Sequence, residues 1–230
     1  MSAKKTFYTE LSYLFGIVTL ALGTVFMERA DFGVSMVVAP AYLIYLKLSM
    51  ILPWFTFGMA EYTLQAVLLF AMCIVLKRFR PSYLFSFVTA VFYGVMLDLL
   101  MLAGGFLPKD VIWMRIVYYV AGVFFCSIGV ALLFRTYIAP EVYELFVKEL
   151  SHTYGWNIGK VKTVYDCVSC LIGVILSFIF FGLWHFEGVK WGTILCALIN
   201  GFLIAQIGKL LDRRFDFRDA TGWKERFFRT

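Results

Sequence analysis

Long apolar runs dominate the chain, and short charged stretches separate them. Six runs are long enough for a helix to cross a hydrocarbon core of about 30 Å, which takes about 20 residues. Helices are the expected form, since each satisfies its own backbone groups and no run has the two-residue period of a membrane β-barrel. The predicted spans are Leu11–Met27, Ala60–Leu76, Tyr83–Ala103, Trp113–Phe134, Thr163–Gly182 and Trp191–Lys209.

Two further segments, Val34–Met50 and Ile138–His152, are not expected to span. The second carries three glutamates and a lysine, and burying four charges near a bilayer centre would cost about 10 kcal/mol or more. Its apolar residues fall on one helical stripe, which is typical of an amphipathic helix. We predict that 34–50 is re-entrant and that 138–152 is amphipathic or re-entrant, and an interfacial position stays open for both.

Positive charge in the short connections predicts the orientation of the spans. Lysines precede the first span and three basic residues follow Leu76, so both places are assigned to the cytoplasm. An even number of crossings must separate them, which excludes Val34–Met50 as an additional span. Lys148, Lys160 and Lys162 mark a later cytoplasmic connection, and the basic tail marks the C-terminus. The sequence therefore predicts six spans in a plasma membrane, with both termini cytoplasmic.

The composition supports a membrane protein and excludes several other classes. Of the 230 residues, 62% are hydrophobic and 16% are charged, and a soluble domain of this size cannot bury so much apolar surface. A net charge of +6 does not indicate a nucleic-acid partner in such a chain. The five cysteines lie within apolar runs, which argues against a secreted disulfide framework.

An N-terminal signal peptide is the alternative interpretation of Leu11–Met27. No small-residue cleavage site follows this run, so we interpret it as a helix of the mature protein. An enzyme is not expected either, because the chain shows no nucleophile–base pair, metal-ligand cluster or phosphate-binding loop. No cofactor and no metal site are predicted. Cys167 and Cys170 have metal-ligand spacing but no second pair, and His152 and His185 have no ligand neighbours.

The two halves of the chain resemble each other. The same spacing of two glycines and an arginine occurs twice, as Gly16, Gly23 and Arg29 and as Gly122, Gly129 and Arg135. We predict a first repeat at 1–108, a second at 109–211, and a basic aromatic cytoplasmic tail at 212–230. Three spans in each half place the halves upside down relative to one another. Such inverted repeats with interrupted helices are typical of secondary transporters.

Several residue strings are similar to a known family. Arg29-Ala30-Asp31-Phe32-Gly33-Val34-Ser35, the later Phe57-Gly58, and a span containing Gly94 and Asp98 resemble the YczE/YyaS/YitT family of small bacterial membrane proteins. Met36 stands where that family has proline. The resemblance implies an internally duplicated protein of the bacterial inner membrane with a transport role, and it specifies no substrate.

Ionisable residues within or beside spans are the candidate functional residues. A helix beginning near Ser35 would direct its positive end and the fork of Arg29 toward an anion. The predicted substrate-binding residues are Arg29, Asp31, Ser35, Glu61, Arg135 and Glu141, and Asp98 and Asp166 are predicted coupling or ion-pair residues. Arg29 could instead pair with Glu28 or Asp31 as a structural anchor.

The sequence favours a small secondary transporter that moves an anionic or zwitterionic metabolite by alternating access. The alternative is a membrane-embedded substrate-binding subunit, or a regulatory membrane protein, that acts with a partner. The expected partners are the lipid bilayer and a small-molecule substrate but no nucleic acid, and the oligomeric state is open. Aromatic and basic residues from Phe215 to Thr230 predict an interfacial segment attracted to anionic lipid.

Overall fold

A computed structural model describes residues 5–183 and 186–220 of the chain. About 74% of these described residues are helical, and they form eight helices. Six of the helices are long and apolar enough to cross a membrane, which confirms a multi-pass membrane protein. The helices are α1 (Thr9–Ala30), α2 (Ala39–Ser49), α3 (Phe57–Leu76), α4 (Tyr83–Gly104), α5 (Ile112–Leu133), α6 (Val142–Tyr154), α7 (Ile158–Phe181) and α8 (Trp191–Arg214).

Two short strands make the all-α prediction wrong in one detail. β1 (Lys5–Tyr8) pairs in parallel with β2 (Phe215–Arg218), so residues near the two ends of the chain meet. The ring of Phe7 packs on Phe215 and Phe217, at centroid distances of 5.4 and 5.7 Å. Of the predicted interfacial tail, only 215–220 is among the described residues, and His185 lies outside them.

The six long helices alternate between two ends of the bundle. At one end, called here the Arg29 end, Asp31 follows α1 and binds Arg115 of α5 at 3.1 Å and Lys190, just before α8, at 2.6 Å. Lys109 of the α4–α5 connection binds Glu28 at the same end. The connections α4–α5 and α7–α8 therefore lie on one side of the molecule.

The opposite end, called here the Arg135 end, holds the other connections. Arg135 at the end of α5 forms a two-pronged ion pair with Asp212 near the end of α8. Arg78, which follows α3, binds Glu149 of α6 at 2.7 Å. Tyr83 at the start of α4 also donates a hydrogen bond to Glu149, at 2.9 Å.

The two short helices belong to connections that leave and rejoin the same end. The connection 31–56 starts at Asp31, and its last residue, Thr56, donates to Asp98 one to two turns from the end of α4. Lys47 near the end of α2 donates to the Phe180 carbonyl at the end of α7. The connection 134–157 starts and finishes at the Arg135 end in the same way. Each connection thus begins and ends on the same side of the bundle.

Helix α2 begins later than the sequence suggested. Its first residue is Ala39, and the Ser35 side chain does not cap it; the Ser35 carbonyl instead accepts from the Val38 and Ala39 amides. This single irregular turn carries the chain from the Arg29 end into the interior before the helix starts. Pro40 rather than Ser35 marks the first turn, where a missing amide hydrogen costs nothing.

Helices α1 and α5 pack closely and antiparallel through glycines. A Cβ atom on Gly23 would lie 2.6 Å from the backbone nitrogen of Cys126 and 2.8 Å from the Gly122 carbonyl oxygen. A Cβ on Gly16 would lie 3.2 Å from the Gly129 carbonyl oxygen. Small residues let the two backbones approach, and the resulting dispersion contacts hold helices together where lipid removes the hydrophobic effect.

Candidate functional site

A small polar cavity lies at the centre of the bundle, where both halves of the chain meet. Its volume is about 30 Å³, which leaves room for little more than a water molecule or a small ion. The polar residues that line it are Thr24, Ser35, Tyr93, Glu141, Tyr143, Glu144, Lys162 and Asn200. Polar groups at this depth are expensive in a membrane protein and usually serve a function.

Two buried glutamates are linked by one glutamine beside this central cavity. Gln65 on α3 donates from Nε2 to Oε2 of Glu141 at 3.1 Å and to Oε2 of Glu61 at 3.4 Å. Its carbonyl oxygen accepts from the Val142 amide, in the first turn of α6. The Tyr143 hydroxyl donates to Glu61 at 2.9 Å. Gln65 therefore holds the start of α6 and both carboxyl groups together.

Each of the two glutamates has one oxygen without a partner. The Oε1 atoms of Glu61 and Glu141 are buried, and no hydrogen-bond donor in the described part of the chain reaches them. An unpaired buried polar atom costs about 1–3 kcal/mol, and an unpaired buried charge costs far more. A bound proton or a positively charged ligand would reduce this free-energy cost.

Lys162 completes a group that we call the acidic cluster: Glu61, Glu141, Glu144, Asp166 and Lys162. The Lys162 ammonium binds Asp166 at 3.0 Å and Glu144 at 3.4 Å. The sequence placed Lys162 in the connection before the span that starts at Thr163, whereas it lies within α7 with its side chain 16% exposed. Four carboxylates and one ammonium would give the cluster a charge of −3 if all were ionised.

Glu141 lies outside the six candidate spans, at the cap position of α6. Burial raises the pKa of the Glu141 carboxyl well above its usual range, and the nearby carboxylates of Glu144 and Glu61 raise it further. Hydrogen bonding to Gln65 and the charge of Lys162 oppose this rise and do not outweigh it. The arrangement thus favours the neutral, proton-bearing form of Glu141.

The two arginines of the predicted site lie far from the central cavity, at opposite ends of the bundle. Arg29 pairs with Glu28 at 3.5 Å, and Arg135 pairs with Asp212 at 2.6 Å. Arg135 also donates to the Ala131 carbonyl oxygen at the end of its own helix. Each arginine therefore has a local anionic partner, and the structure does not bring the two together.

Asp31 and Asp98 also lie outside the central cavity. Asp31 is half exposed at the Arg29 end, between Arg115 and Lys190. Asp98 accepts from the Gly58 amide at 2.8 Å and from the Thr56 hydroxyl at 2.7 Å, so it holds the first turn of α3. Neither carboxylate is paired with Arg29.

Four of the predicted residues do come together at the centre. Ser35 and Glu141 line the central cavity, and Glu61 and Asp166 belong to the acidic cluster around it. Asp166, a predicted coupling or ion-pair residue, pairs with Lys162. Sequence reasoning did not single out four residues of this site: Gln65 and Tyr143 are uncharged, Glu144 was taken as one charge of an amphipathic helix, and Lys162 was placed in a connection.

Comparison with protein families gives one match, and it covers most of the bundle. A family profile matches residues 7–209. The chain belongs to this family, DUF6198, which is described as a family of unknown function. No curated protein and no solved structure matches the chain. The match leaves the resemblance to the YczE/YyaS/YitT family as a prediction. The DUF6198 region contains both halves and every member of the acidic cluster.

Proposed function

We propose that the protein is a small secondary transporter that works by alternating access and is coupled to protons through the acidic cluster. One observation carries the proposal. Glu61 and Glu141 are buried beside a cavity to which both halves contribute, and each has an oxygen without a partner in the described residues. Buried ionisable groups of this kind mark ion and proton pathways in membrane proteins.

An inverted repeat is supported by the order and packing of the helices. Each half contains a long, a short and two long helices in that order. The proposed equivalents α1 and α5 run antiparallel, as inverted repeats require. Equivalent side chains bind equivalent helices: Tyr93 of α4 binds Thr24 of α1 at 2.8 Å, and Asn200 of α8 binds Ser127 of α5 at 2.9 Å.

A re-entrant role for α2 and α6 follows from the same arrangement. Ser35 and Val38, just before α2, line the central cavity, and so does Glu141, just before α6. From there α2 runs back toward the Arg29 end and α6 toward the Arg135 end. The positive dipole ends of both short helices then point at the centre from opposite sides, which is the usual construction around a transporter binding site.

The acidic cluster supplies a proton carrier between two groups of helices. Glu141 faces Glu61 and Gln65 from α3, Glu144 from α6 and Lys162 from α7. A neutral Glu141 is stable while the cavity is closed. When one side opens and water enters, the charged form is solvated and the proton can leave. A change of access between the halves would thereby be linked to gain or loss of a proton.

The cargo expected from the sequence was anionic or zwitterionic, and that expectation depended on the arginines. Both arginines are paired at the ends of the bundle, whereas the centre carries excess negative charge. The geometry therefore favours a cargo with a positively charged group.

The orientation follows from the basic residues. More of the described basic residues lie at the Arg135 end than at the Arg29 end, which supports a cytoplasmic position for the Arg135 end and both termini in a plasma membrane. The Arg135 end carries Lys5, Lys77, Arg78, Arg80, Arg135, Lys148, Lys160, Arg213, Arg214 and Arg218.

Proton flux in proteoliposomes tests the proposed function. Vesicles containing the purified protein and the pH dye pyranine are given a pH gradient, and inorganic cations, amines, amino acids and carboxylates are added in turn. We expect at least one solute, a cation or amine, to collapse the gradient with the wild-type protein. Glu141→Gln should abolish this response, because an amide cannot carry the proton.

Asp110→Asn is the matched control, since Asp110 is exposed in the α4–α5 connection and far from the cluster. It should behave as wild type. Proton flux that no solute changes, or that persists in Glu141→Gln, would contradict the proposal. Tight retention of a solute without any flux would instead support the alternative of a substrate-binding subunit.

A further inference from the structure

A large groove opens on the side of the bundle and is distinct from the central cavity. It lies between α3, α6 and α7, and the residues before and within the first turn of α2 close its inner end. Its volume is about 790 Å³, in the range that holds drug-sized molecules. We call it the lateral groove.

The walls of the lateral groove are apolar and aromatic. Leu64 and Leu68 of α3 face Phe146 of α6 and Val164 of α7 across it. Lys160, in the first turn of α7, is the charged residue among those that line it. Such a surface fits the apolar body of a ligand, and the lysine disfavours a cationic group at that end of the groove.

The inner end of the lateral groove touches the central cavity. Val37 and Tyr143 line both spaces, so these two side chains form the wall between them. Behind this wall, the Tyr143 hydroxyl binds Glu61. Movement of Val37 or Tyr143 would connect the apolar groove to the buried carboxyl groups.

The net charge behind the wall is negative as long as Glu144, Asp166 and Lys162 are all ionised. With Glu61 and Glu141 neutral, the carboxylates of Glu144 and Asp166 still exceed the single ammonium of Lys162, which leaves −1. Charge is weakly screened in such a low-dielectric interior. The ring of Tyr143 adds an electron-rich face to which an organic cation is attracted.

We propose that the lateral groove binds an amphipathic organic cation, with its apolar body between α3, α6 and α7 and its positive group at the Val37–Tyr143 wall. The assignment names the cargo class of the transporter and so rests on the proposed function. The occupant must combine the two properties, because the groove supplies apolar area and the acidic cluster supplies the attraction for charge. A lipid acyl chain would need only the first.

Binding of tetraphenylphosphonium tests the proposal, with tetraphenylborate as a probe of the same shape and opposite charge. Equilibrium dialysis is done with the full chain in phosphatidylcholine nanodiscs, and empty nanodiscs give the membrane background. We expect saturable binding of tetraphenylphosphonium only. Val164→Trp fills the groove and should weaken this binding by about tenfold or more, and Val168→Trp, which lines the same groove, should act likewise.

Ile179→Trp is the matched control, because Ile179 lies on the same helix, is 68% exposed and does not line the groove. It should bind as wild type. Equal saturable binding of tetraphenylborate, or unchanged tetraphenylphosphonium binding in both groove variants, would overturn the proposal. Proton flux driven by some other solute in those circumstances would leave the proposed function standing. Specific tetraphenylphosphonium binding without any solute-driven proton flux would support the lateral groove as a binding site and contradict the proposed transport function.

Discussion

Two side chains hold the start of α6 in place, and both act on carboxyl groups. Gln65 donates to Glu61 and Glu141 and accepts from the Val142 amide, while Tyr143 donates to Glu61. There are fewer hydrogen-bond donors than acceptors around these groups, because each carboxyl group has two oxygens. A bound proton removes the deficit by turning an acceptor into a donor. The local hydrogen bonding thus selects the neutral form of at least one glutamate.

Thermal stability should depend on pH through Glu141. The folded state holds this proton to higher pH than the unfolded state, since burial raises the pKa of Glu141. The free energy of unfolding therefore falls as the pH rises above the ordinary glutamate value of about 4.3. We expect the apparent Tm in detergent to fall as the pH rises above this value, with a smaller slope in Glu141→Gln. A slope that is the same in Glu141→Gln and in wild type would show that Glu141 does not titrate there.

Asp98 should be a structural residue rather than a coupling residue. It accepts from Gly58 and Thr56 at the start of α3, so Asp98→Ala leaves these donors unsatisfied. Loss of such a cap costs about 1–2 kcal/mol, and the apparent Tm should drop accordingly. Solute-driven proton flux per folded molecule should stay unchanged. Lost flux at unchanged Tm would assign Asp98 to coupling after all.

At the scale of helices, glycines bring the backbones of α1 and α5 into close contact. These two helices form the centre of the bundle, and their glycines pair crosswise, Gly16 with Gly129 and Gly23 with Gly122. Exchanging the two halves maps one pair onto the other. The α1–α5 contact is therefore a packing interface, and the proposed twofold axis that relates the two halves passes through it.

Enlarging Gly23 should separate these helices. Even the first carbon of a side chain would lie 2.6 Å from the Cys126 nitrogen, and a backbone atom cannot swing aside. We expect Gly23→Val to destabilise the protein by about 1–3 kcal/mol or more, measured as loss of the monodisperse species on chromatography after heating. Gly201→Ala on α8 is the control, since no atom lies within 4 Å of its added carbon. Equal heat stability of Gly23→Val and wild type would contradict the close α1–α5 contact.

For the molecule as a whole, the sequence predicted the spans because hydropathy is a local property. Helix bounds differ from the prediction by a few residues, as for α1, which extends from Thr9 to Ala30 rather than from Leu11 to Met27. The strands β1 and β2 have four residues each and lie more than 200 residues apart, so no local pattern indicates their pairing.

The site was harder to predict, because the sequence shows which residues are charged but not which of them lie close together in the fold. Arg29 and Arg135 were predicted to be site residues because they are charges beside spans. Each is instead paired with a carboxylate at its own end of the bundle. Lys162 was taken as a loop residue, since counting basic residues cannot distinguish a lysine that faces lipid headgroups from one that faces Asp166. Tyr143 carries no charge, and its role depends on Glu61, 82 residues away in the chain.

The inverted arrangement of the two halves is the central claim, and labelling with a membrane-impermeant maleimide tests it most directly. Met50→Cys after α2 and His152→Cys near the end of α6, both exposed, are placed singly in a chain without its five native cysteines. In intact cells we expect Met50→Cys to react and His152→Cys to be protected, and in inverted vesicles the reverse. Reaction of both positions from the same side would contradict the inverted repeat and the transport mechanism built on it.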